Sequence, residues 1–274
     1  MLFSIVVPVR NEEANLPLCL ERLKEFDDVI VVDSGSTDGT VGIAQSFGRN
    51  VLNFVWNGGF PKKRNWVLRN YPFKYPWVLF LDADERIPPE FKREVGTITQ
   101  SSSHNGFWIG YSNWFMGRLL KHGDPVRKLS LLRVGCGEFE RIAEESWSKL
   151  DMEVHEHLVV SGTVGAITAR IDHHDMRTLD AYYERHNEYS SWEAMRYLKL
   201  KGMISLTFRQ KLKYRMIRWK IFPPIYFIAN YFLRLGFLDG LPGFYFAISK
   251  MFYFYQIQAK VSWAELKINS RIIS

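Results

Sequence analysis

Residues 29–40 read VIVVDSGSTDGT, and this stretch decides the fold class. The apolar residues end abruptly at Asp33, and a loop of serine, glycine, threonine and aspartate follows. A short apolar run bounded by turn residues predicts a buried strand, and STDGTVGIAQSFG predicts a helix closed by Gly48. Asp33 is thereby placed at the carboxyl end of a strand, where α/β sheets bind ligands. An ordinary capped helix is the alternative, because Ser and Asp commonly precede helices.

The same alternation of strand and helix runs through the first hundred residues. Three further strands are predicted in FSIVVPVR, NVLNFV and WVLFLDADE, and the first and last of them are expected to be buried. Helices are predicted in NEEANLPLCLERLKEF, with Asn11 as the N-cap, and in FPKKRNWVLRNYP. Parallel strands joined by crossover helices form an open α/β sheet covered on both faces.

A second strand ends on acidic residues, in the sequence LFLDADER. Side chains alternate along an extended chain, so Asp82 and Asp84 are expected to point the same way, with their Cα atoms about 7 Å apart. Two carboxylates on one side repel each other unless a cation lies beside them, and Mg²⁺ or Mn²⁺ with oxygen ligands is the natural occupant. A solvated turn before IPPEF is the alternative.

The composition favours a globular protein in a reducing compartment. The chain has 274 residues, 47% of them hydrophobic, and its two cysteines show no spacing typical of a disulfide framework or a zinc knuckle. The N-terminus MLFSIVVPVRNEE has no basic leader and too short an apolar run for a signal peptide. We therefore expect a cytoplasmic protein.

The net charge of +7 is concentrated in one segment, between Lys199 and Lys220, which contains no acidic residue. An aromatic stretch follows, and this change of composition predicts a boundary between a catalytic domain, residues 1–205, and a C-terminal helical region, residues 206–274. Prolines, glycines and charges interrupt the stretch, so a membrane-spanning helix is not expected. Two short aromatic helices flanking LDGLPG are predicted instead.

Cations next to aromatic residues are typical of a peripheral anchor on an anionic membrane, here the inner face of the cell membrane. The alternative is helices packed against the catalytic domain or against a second copy of the chain in a homo-oligomer. Nucleic-acid binding is not expected, since the aromatic residues follow the basic run instead of interleaving with it.

Four motifs carry a family resemblance: SIVVPVRNEEANL, VIVVDSGSTDGT, WNGGFPKKRN and WVLFLDADERIPPEF. Their order and spacing resemble family 2 glycosyltransferases of the glycosyltransferase-A fold, and most of all those that include lipopolysaccharide-core β-glucosyltransferases. The resemblance implies a Rossmann-like nucleotide-binding sheet flanked by helices. It also implies inverting transfer of a sugar from a nucleotide-sugar, typically UDP-linked, to a hydroxyl of a glycan or lipid-linked acceptor, with Mn²⁺ or Mg²⁺.

The resemblance also implies roles for individual residues. Asp33 would bind the base, Asp82 the ribose or the metal, and Asp84 the metal, with His173 near the metal or the diphosphate. In GGFPKKRN, basic residues lie at the start of a predicted helix, and such a helix start suits a diphosphate. We therefore expect Lys63, Arg64 or Asn65 to contact the diphosphate. The remaining predicted donor-site residues are Pro8, Arg10, Glu12, Lys63, Arg64, Asn65 and Ala83.

The sequence EVHEHL offers a candidate general base. Inverting transfer needs a base that takes the proton of the acceptor hydroxyl, and Glu156 is the first candidate, with Asp124 of KHGDP as the alternative. A zinc hydrolase is disfavoured because the helical HExxH spacing is absent.

Two other functions remain open from the sequence. A nucleotidyltransferase acting on sugar phosphates would also combine a nucleotide-binding sheet with acidic metal ligands, but PVRNEEANL has acids where such an enzyme needs a glycine-rich triphosphate loop. A catalytically inactive, membrane-associated scaffold would keep the fold without turnover.

Overall fold

The computed structural model describes residues 3–141, 157–200 and 208–272. They divide into two compact units. The first comprises Met1–Trp114 and Pro125–Arg177, and the second comprises Phe115–Asp124 and Thr178–Ser274. The boundary predicted near residue 205 lies outside the described residues and stays a prediction.

The first unit carries the predicted alternation of strands and helices. Its helices are α1 Leu16–Glu21, α2 Thr40–Ser46, α3 Lys63–Asn70 and α4 Pro89–Ser101. The strands of the described chain are β1 Ser4–Val9, β2 Val29–Asp33, β3 Asn50–Asn53, β4 Trp77–Phe80, β5 Glu85–Arg86, β6 Gly106–Phe115, β7 Arg118–Leu119, β8 Arg127–Arg133, β9 Gly137–Phe139, β10 Leu158–Val160 and β11 Val164–His173.

The main sheet has the order β3-β2-β1-β4-β8-β6-β11-β5, and β9 and β10 form a separate antiparallel pair. Strands β1 to β4 are mutually parallel, as predicted. The chain builds outward from β1 through β2 to β3, then crosses to the other side of β1 for β4. This change of direction is a topological switch point, and the carboxyl ends of β1 and β4 flank the crevice that such a point creates.

Both faces of the parallel sheet are buried at β1, β2 and β4, which explains why these three strands are apolar runs, whereas the edge strand β3 is partly exposed. Ile5 and Val7 belong to one core cluster, whereas Val6 between them belongs to the other. The same alternation holds in β4, where Leu79 packs on the first face and Val78 on the second. The predicted α/β fold class is confirmed.

One detail of the first helix differs from the prediction. Asn11 is not its N-cap, because α1 begins at Leu16 and Asn15 precedes it. Asn11 instead adopts a left-handed φ of 55° and accepts a hydrogen bond from the Thr37 backbone, 2.8 Å long. Asparagine tolerates this conformation, and its side chain joins the loops after β1 and β2.

The second unit is helical, as predicted for the C-terminal region. It comprises α5 Leu179–Leu200, α6 Phe208–Ile217, α7 Phe222–Ile228, a π-helical turn Ala229–Leu233, a 3₁₀ turn Gly236–Asp239 and α8 Gly240–Ile272. The prediction of two short helices around LDGLPG is wrong for the second of them, since α8 has 33 residues. Pro242 lies in its first turn, where proline costs no intrahelical hydrogen bond, so the helix continues.

Tyr197 of α5, Tyr214 of α6 and Ile257 of α8 share the main core cluster of the second unit. In the described part of the chain, no helix combines the length and the apolarity that a membrane span requires.

Candidate active site

The loops after β1 and β2 are tied to each other by hydrogen bonds at the carboxyl edge of the sheet. The Asn11 backbone donates to the Ser36 hydroxyl, 2.9 Å, and the Glu12 backbone donates to the Thr40 hydroxyl, 2.8 Å. The Gly39 backbone donates to the Glu13 carboxylate, also 2.8 Å. The loops after β1 and β2, for which the sequence predicts nucleotide binding, are therefore held in a fixed arrangement.

Asp33 lies at the end of β2 and is buried. Its Oδ2 accepts hydrogen bonds from the backbones of Gly35, 2.9 Å, and Ser36, 3.1 Å. The carboxylate thus folds its own loop into a turn, whereas α2 begins only at Thr40. Base recognition by Asp33 stays a prediction.

Three carboxylates converge just beyond β4. Oxygens of Asp82, Asp84 and Glu85 all lie within 4.8 Å of one another. The expected extended geometry is wrong, because β4 ends at Phe80 and the Glu85 backbone donates to the Asp82 carbonyl, 2.9 Å, in a turn. The turn brings in Glu85, which sequence reasoning did not select, while the Ala83 side chain packs in the core.

Two protein cations bind this acidic group. Arg64 Nη2 lies 2.7 Å from Asp82 Oδ1, and Lys128 Nζ lies 2.8 Å from Asp82 Oδ2 and 2.7 Å from Glu85 Oε1. Withdrawal from water alone would raise the pKa of Asp82, but Lys128 and Arg64 outweigh it and hold that pKa far below its usual range. Asp82 is therefore ionised throughout the physiological range.

The pKa of Glu85 shifts in the opposite direction to that of Asp82. It is 1% exposed, and burial raises its pKa to about 7 despite the opposing charge of Lys128. Its Oε2 accepts a hydrogen bond from the Asp82 backbone, 3.1 Å. Glu85 thus fixes the turn that presents the other two carboxylates.

Asp84 faces the end of β11. His173 Nε2 lies 3.4 Å and Arg177 Nη2 lies 3.8 Å from Asp84 Oδ2. Burial opposes protonation of His173, but Asp84 dominates and raises the pKa of the imidazole. Of the two adjacent histidines, His173 therefore faces the acidic group, while His174 stacks on Trp114 with ring centroids 5.0 Å apart.

Arg177 connects the acidic group to the loop after β1, and sequence reasoning missed it. Its guanidinium lies 3.1 Å from Glu12 Oε1 and 2.9 Å from Asp175 Oδ1. Asn15 donates to both of these acids, over 2.8 Å to Glu12 and 3.2 Å to Asp175. The predicted residue Glu12 is thus held on the Asp84 side of the crevice.

The other predicted donor-site residues occupy varied positions. Lys63 is 1% exposed, and its Nζ donates to the Val9 carbonyl, 2.9 Å. Asn65 is buried, and its amide exchanges two hydrogen bonds with the Phe139 backbone, 2.9 and 2.8 Å. Pro8 is a buried residue of β1 and Arg10 is exposed just after it. Their contacts with a donor stay predictions.

The two candidate bases differ in what the structure describes. Glu156 lies outside the described residues. Asp124 belongs to the second unit, where it accepts a hydrogen bond from the Tyr226 hydroxyl, 2.6 Å, and pairs with Arg234, 2.7 Å. Asp124 therefore serves an ion pair inside its own unit.

The acidic group fits a hard divalent cation in donor chemistry. Carboxylate oxygens are the ligands that Mg²⁺ or Mn²⁺ prefers, and here three of them lie within 4.8 Å of one another. An ion held by three carboxylates would keep further coordination positions for phosphate oxygens. The bound cations Lys128 and Arg64 offset part of the negative charge, so the site need not bind a free ion tightly. Within the described residues, His173 reaches this group through Asp84.

Residues 4–113 match the family model described as Glycosyl transferase family 2. This part of the chain is similar to family 2 glycosyltransferase domains. The predicted family, the enzyme class and the glycosyltransferase-A fold class are confirmed. The match covers β1 to β4 and therefore contains Asp33 and the acidic group, and it favours glycosyl transfer over the nucleotidyltransferase alternative.

Full-length relatives extend the similarity beyond this domain. The chain is 29% identical to the lipopolysaccharide core biosynthesis glycosyltransferase LpsC of Rhizobium meliloti, over 92% of this chain and 88% of LpsC. Among solved structures, S. aureus TarS is similar at 17% identity and a TM-score of 0.46, over 96% of this chain and 92% of that one. A Mycobacterium tuberculosis glucosyl-3-phosphoglycerate synthase with Mn²⁺ and UDP-glucose is 26% identical at a TM-score of 0.33, over 40% of this chain and only 43% of the synthase chain.

Proposed function

We propose that this glycosyltransferase transfers a sugar, with inversion, from a UDP-sugar to a hydroxyl of a glycan or lipid-linked acceptor in cell-envelope polysaccharide synthesis. The observation that carries the proposal is the convergence of Asp82, Asp84 and Glu85 beside the switch point of a family 2 domain. The name of the relative LpsC supports a lipopolysaccharide acceptor.

The acidic group would hold a divalent cation, and that ion would neutralise the leaving diphosphate. Asp84 is the first candidate ligand, because its nearest cationic atoms lie at 3.4 and 3.8 Å, whereas Asp82 and Glu85 hold theirs at 2.7 to 2.8 Å. Arg64 would orient Asp82, and Arg177 would orient Asp84 and Glu12.

The donor is tested by thermal shift and hydrolysis across a panel of nucleotide-sugars, with and without Mn²⁺. We expect UDP-sugars with Mn²⁺ to raise the melting temperature, by several degrees at about 100 times the dissociation constant, because a ligand that binds only the folded state stabilises it. GDP-sugars, CMP-sugars and EDTA-treated samples are the controls. Stabilisation by another nucleotide would reassign the base pocket, and no shift with any donor would favour the inactive scaffold.

We propose Glu156 as the base that deprotonates the acceptor hydroxyl, with Asp124 as the alternative. Glu156→Gln should keep UDP binding and lower transfer about 100-fold, since general bases contribute on the order of 100-fold or more. Asp124→Asn is the matched comparison, measured by radiolabelled sugar transfer and UDP titration in parallel. Full transfer by Glu156→Gln with loss of transfer by Asp124→Asn would reverse the assignment.

We also propose that the second unit binds the anionic inner face of the cell membrane. Between residues 219 and 245 the second unit has more exposed large apolar side chains than any other segment of similar length in the described chain. We call this set the apolar face: Trp219, Ile221, Ile225, Ile228, Phe232, Leu233, Leu235, Phe237, Leu238, Leu241 and Tyr245. The exposed cations Arg215, Arg218 and Lys220 precede it. Binding to a membrane interface depends on burial of apolar side chains and on attraction of cations to anionic lipids, and this segment offers both.

A further inference from the structure

Lys128 lies inside the acidic group as a bridge between two of its members. Its ammonium contacts Asp82 Oδ2 at 2.8 Å and Glu85 Oε1 at 2.7 Å. The same nitrogen lies 4.8 Å from the centre of the Tyr111 ring, which provides a further cation contact. A protein cation therefore occupies the space between two carboxylates that would otherwise repel each other.

The sheet register places Lys128 there. Strands β4 and β8 are antiparallel, and Trp77 pairs with Arg133 and Leu79 with Leu131. Asp82 follows the last paired residue of β4, and Lys128 precedes the last paired residue of β8, so the two side chains meet just beyond the end of this ladder. On its other side, Lys128 is paired with Ile109 of β6. Lys128 thus belongs to a strand in the interior of the sheet, and this strand fixes the position of its backbone beside the acidic group.

The charges of the group are nearly balanced without any metal ion. Lys128 neutralises part of Asp82 and Glu85, and Arg64 holds the second oxygen of Asp82 at 2.7 Å. A divalent ion that bound all three carboxylates would have to displace the Lys128 ammonium or lie close to it. At close range the ion and the ammonium would repel each other. Lys128 is 40% exposed, so it has room to move aside.

We propose that Lys128 keeps the three carboxylates together in the absence of metal and weakens the binding of a lone divalent ion, so that the ion enters with the anionic nucleotide. The inference rests on the proposed function. Lys128 acts here as a positioning residue, because it touches Asp82 and Glu85 and acts on the metal through them. The diphosphate of the nucleotide would add negative charge to the site, which would offset the positive charge of Lys128 and favour binding of the divalent ion.

The test is a Mn²⁺ titration of the full chain, followed by the electron paramagnetic resonance signal of free Mn²⁺. We expect Lys128→Met to bind Mn²⁺ about tenfold more tightly than the wild type when no nucleotide is present. Lys128→Arg keeps the charge and should stay near the wild type. Lys74→Met, which removes an exposed cation paired with Asp27, is the control and should change nothing. Added UDP should strengthen Mn²⁺ binding less in Lys128→Met than in the wild type.

A second measurement covers the case in which the loss of Lys128 destabilises the fold. Without metal, Lys128→Met and Lys128→Gln should melt below the wild type, because the carboxylates lose their counter-ion. Mn²⁺ should then raise their melting temperatures by more than it raises that of the wild type. This readout requires neither donor turnover nor knowledge of the acceptor.

The outcomes separate this inference from the proposed function. Measurable Mn²⁺ binding that is equal or weaker in Lys128→Met overturns the role of Lys128 and leaves the glycosyltransferase proposal intact. Tighter binding in Lys128→Met supports the role even if no UDP-sugar is turned over. Absence of Mn²⁺ binding in every variant, with or without UDP, overturns the metal site and this inference with it.

Discussion

Asp84→Asn should lower metal-dependent turnover of the sugar donor about 1000-fold, because a lost metal ligand removes several kcal/mol of stabilisation from the leaving diphosphate. Asp84 is the member of the acidic group with the longest contacts to protein cations, 3.4 Å to His173 and 3.8 Å to Arg177. Its oxygens are therefore the ones most available to a metal ion. Asparagine keeps the shape of the side chain and removes its charge.

The measurement is donor hydrolysis as a function of Mn²⁺ concentration, together with direct Mn²⁺ binding. Asp27→Asn is the control, because Asp27 is half exposed and pairs with Lys74 at the surface, where an ion pair contributes little. Asp84→Asn should keep the wild-type melting temperature in EDTA to within a few degrees. Unchanged dependence on Mn²⁺ in this variant would remove Asp84 from the metal site and leave Asp82 and Glu85 as the candidates.

The parallel half of the fold was predictable because its strands carry their own signal. In β1, β2 and β4 every residue is buried, so each strand reads as an apolar run, and the helices between them fix a parallel order. The acids that follow two of these strands are visible in the sequence for the same reason. Asp33, Asp82 and Asp84 could therefore be selected from local sequence patterns alone.

Lys128 and Arg177 could not be selected in the same way. Lys128 reaches Asp82 through the antiparallel pairing of β8 with β4, across 46 residues, and a single sequence does not reveal that register. Arg177 reaches Glu12 across 165 residues from the segment after β11. Both contacts depend on tertiary pairing, whereas the predicted residues depend on local strand and loop patterns.

Glu85 was missed for a different reason. The prediction treated LDADE as an extended chain, in which Glu85 would point away from Asp84. The turn that joins the Asp82 carbonyl to the Glu85 backbone reverses that expectation. Local turn geometry thus changed the composition of the site by one carboxylate, although the location of the site stayed the same.

In the apolar face of the second unit, large apolar side chains are exposed while two polar residues are buried, and contact with a membrane would produce this pattern. Asn230 and Asp239 are buried, and Asp239 accepts hydrogen bonds from the backbones of Lys121, 3.1 Å, and His122, 2.9 Å. Leu233, by contrast, is 78% exposed. Exposed apolar side chains do not stabilise a surface that faces water, whereas on a surface that faces lipid each of them contributes free energy to binding.

Leu233→Ser combined with Leu238→Ser should therefore weaken binding of the full chain to anionic vesicles by a few hundredfold. Burying a leucine side chain contributes about 1.5–3 kcal/mol, and two partly inserted leucines contribute on the order of 3–4 kcal/mol. The measurement is co-sedimentation with vesicles of phosphatidylglycerol and phosphatidylcholine at several lipid concentrations. Pure phosphatidylcholine vesicles should bind the wild type more weakly, since the cations of the second unit then have no anionic partner.

Val55→Ser combined with Val159→Ser is the matched control, because these side chains are 79% and 60% exposed, compared with 78% and 52% for Leu233 and Leu238. They belong to the first unit, so their replacement should leave vesicle binding unchanged. If neither pair alters vesicle binding and the leucine pair instead converts a dimer to a monomer in light scattering, a second copy of the chain covers the apolar face. Equal loss in both pairs would mean that the vesicles adsorb exposed apolar residues in general, and the apolar face would then have no specific role.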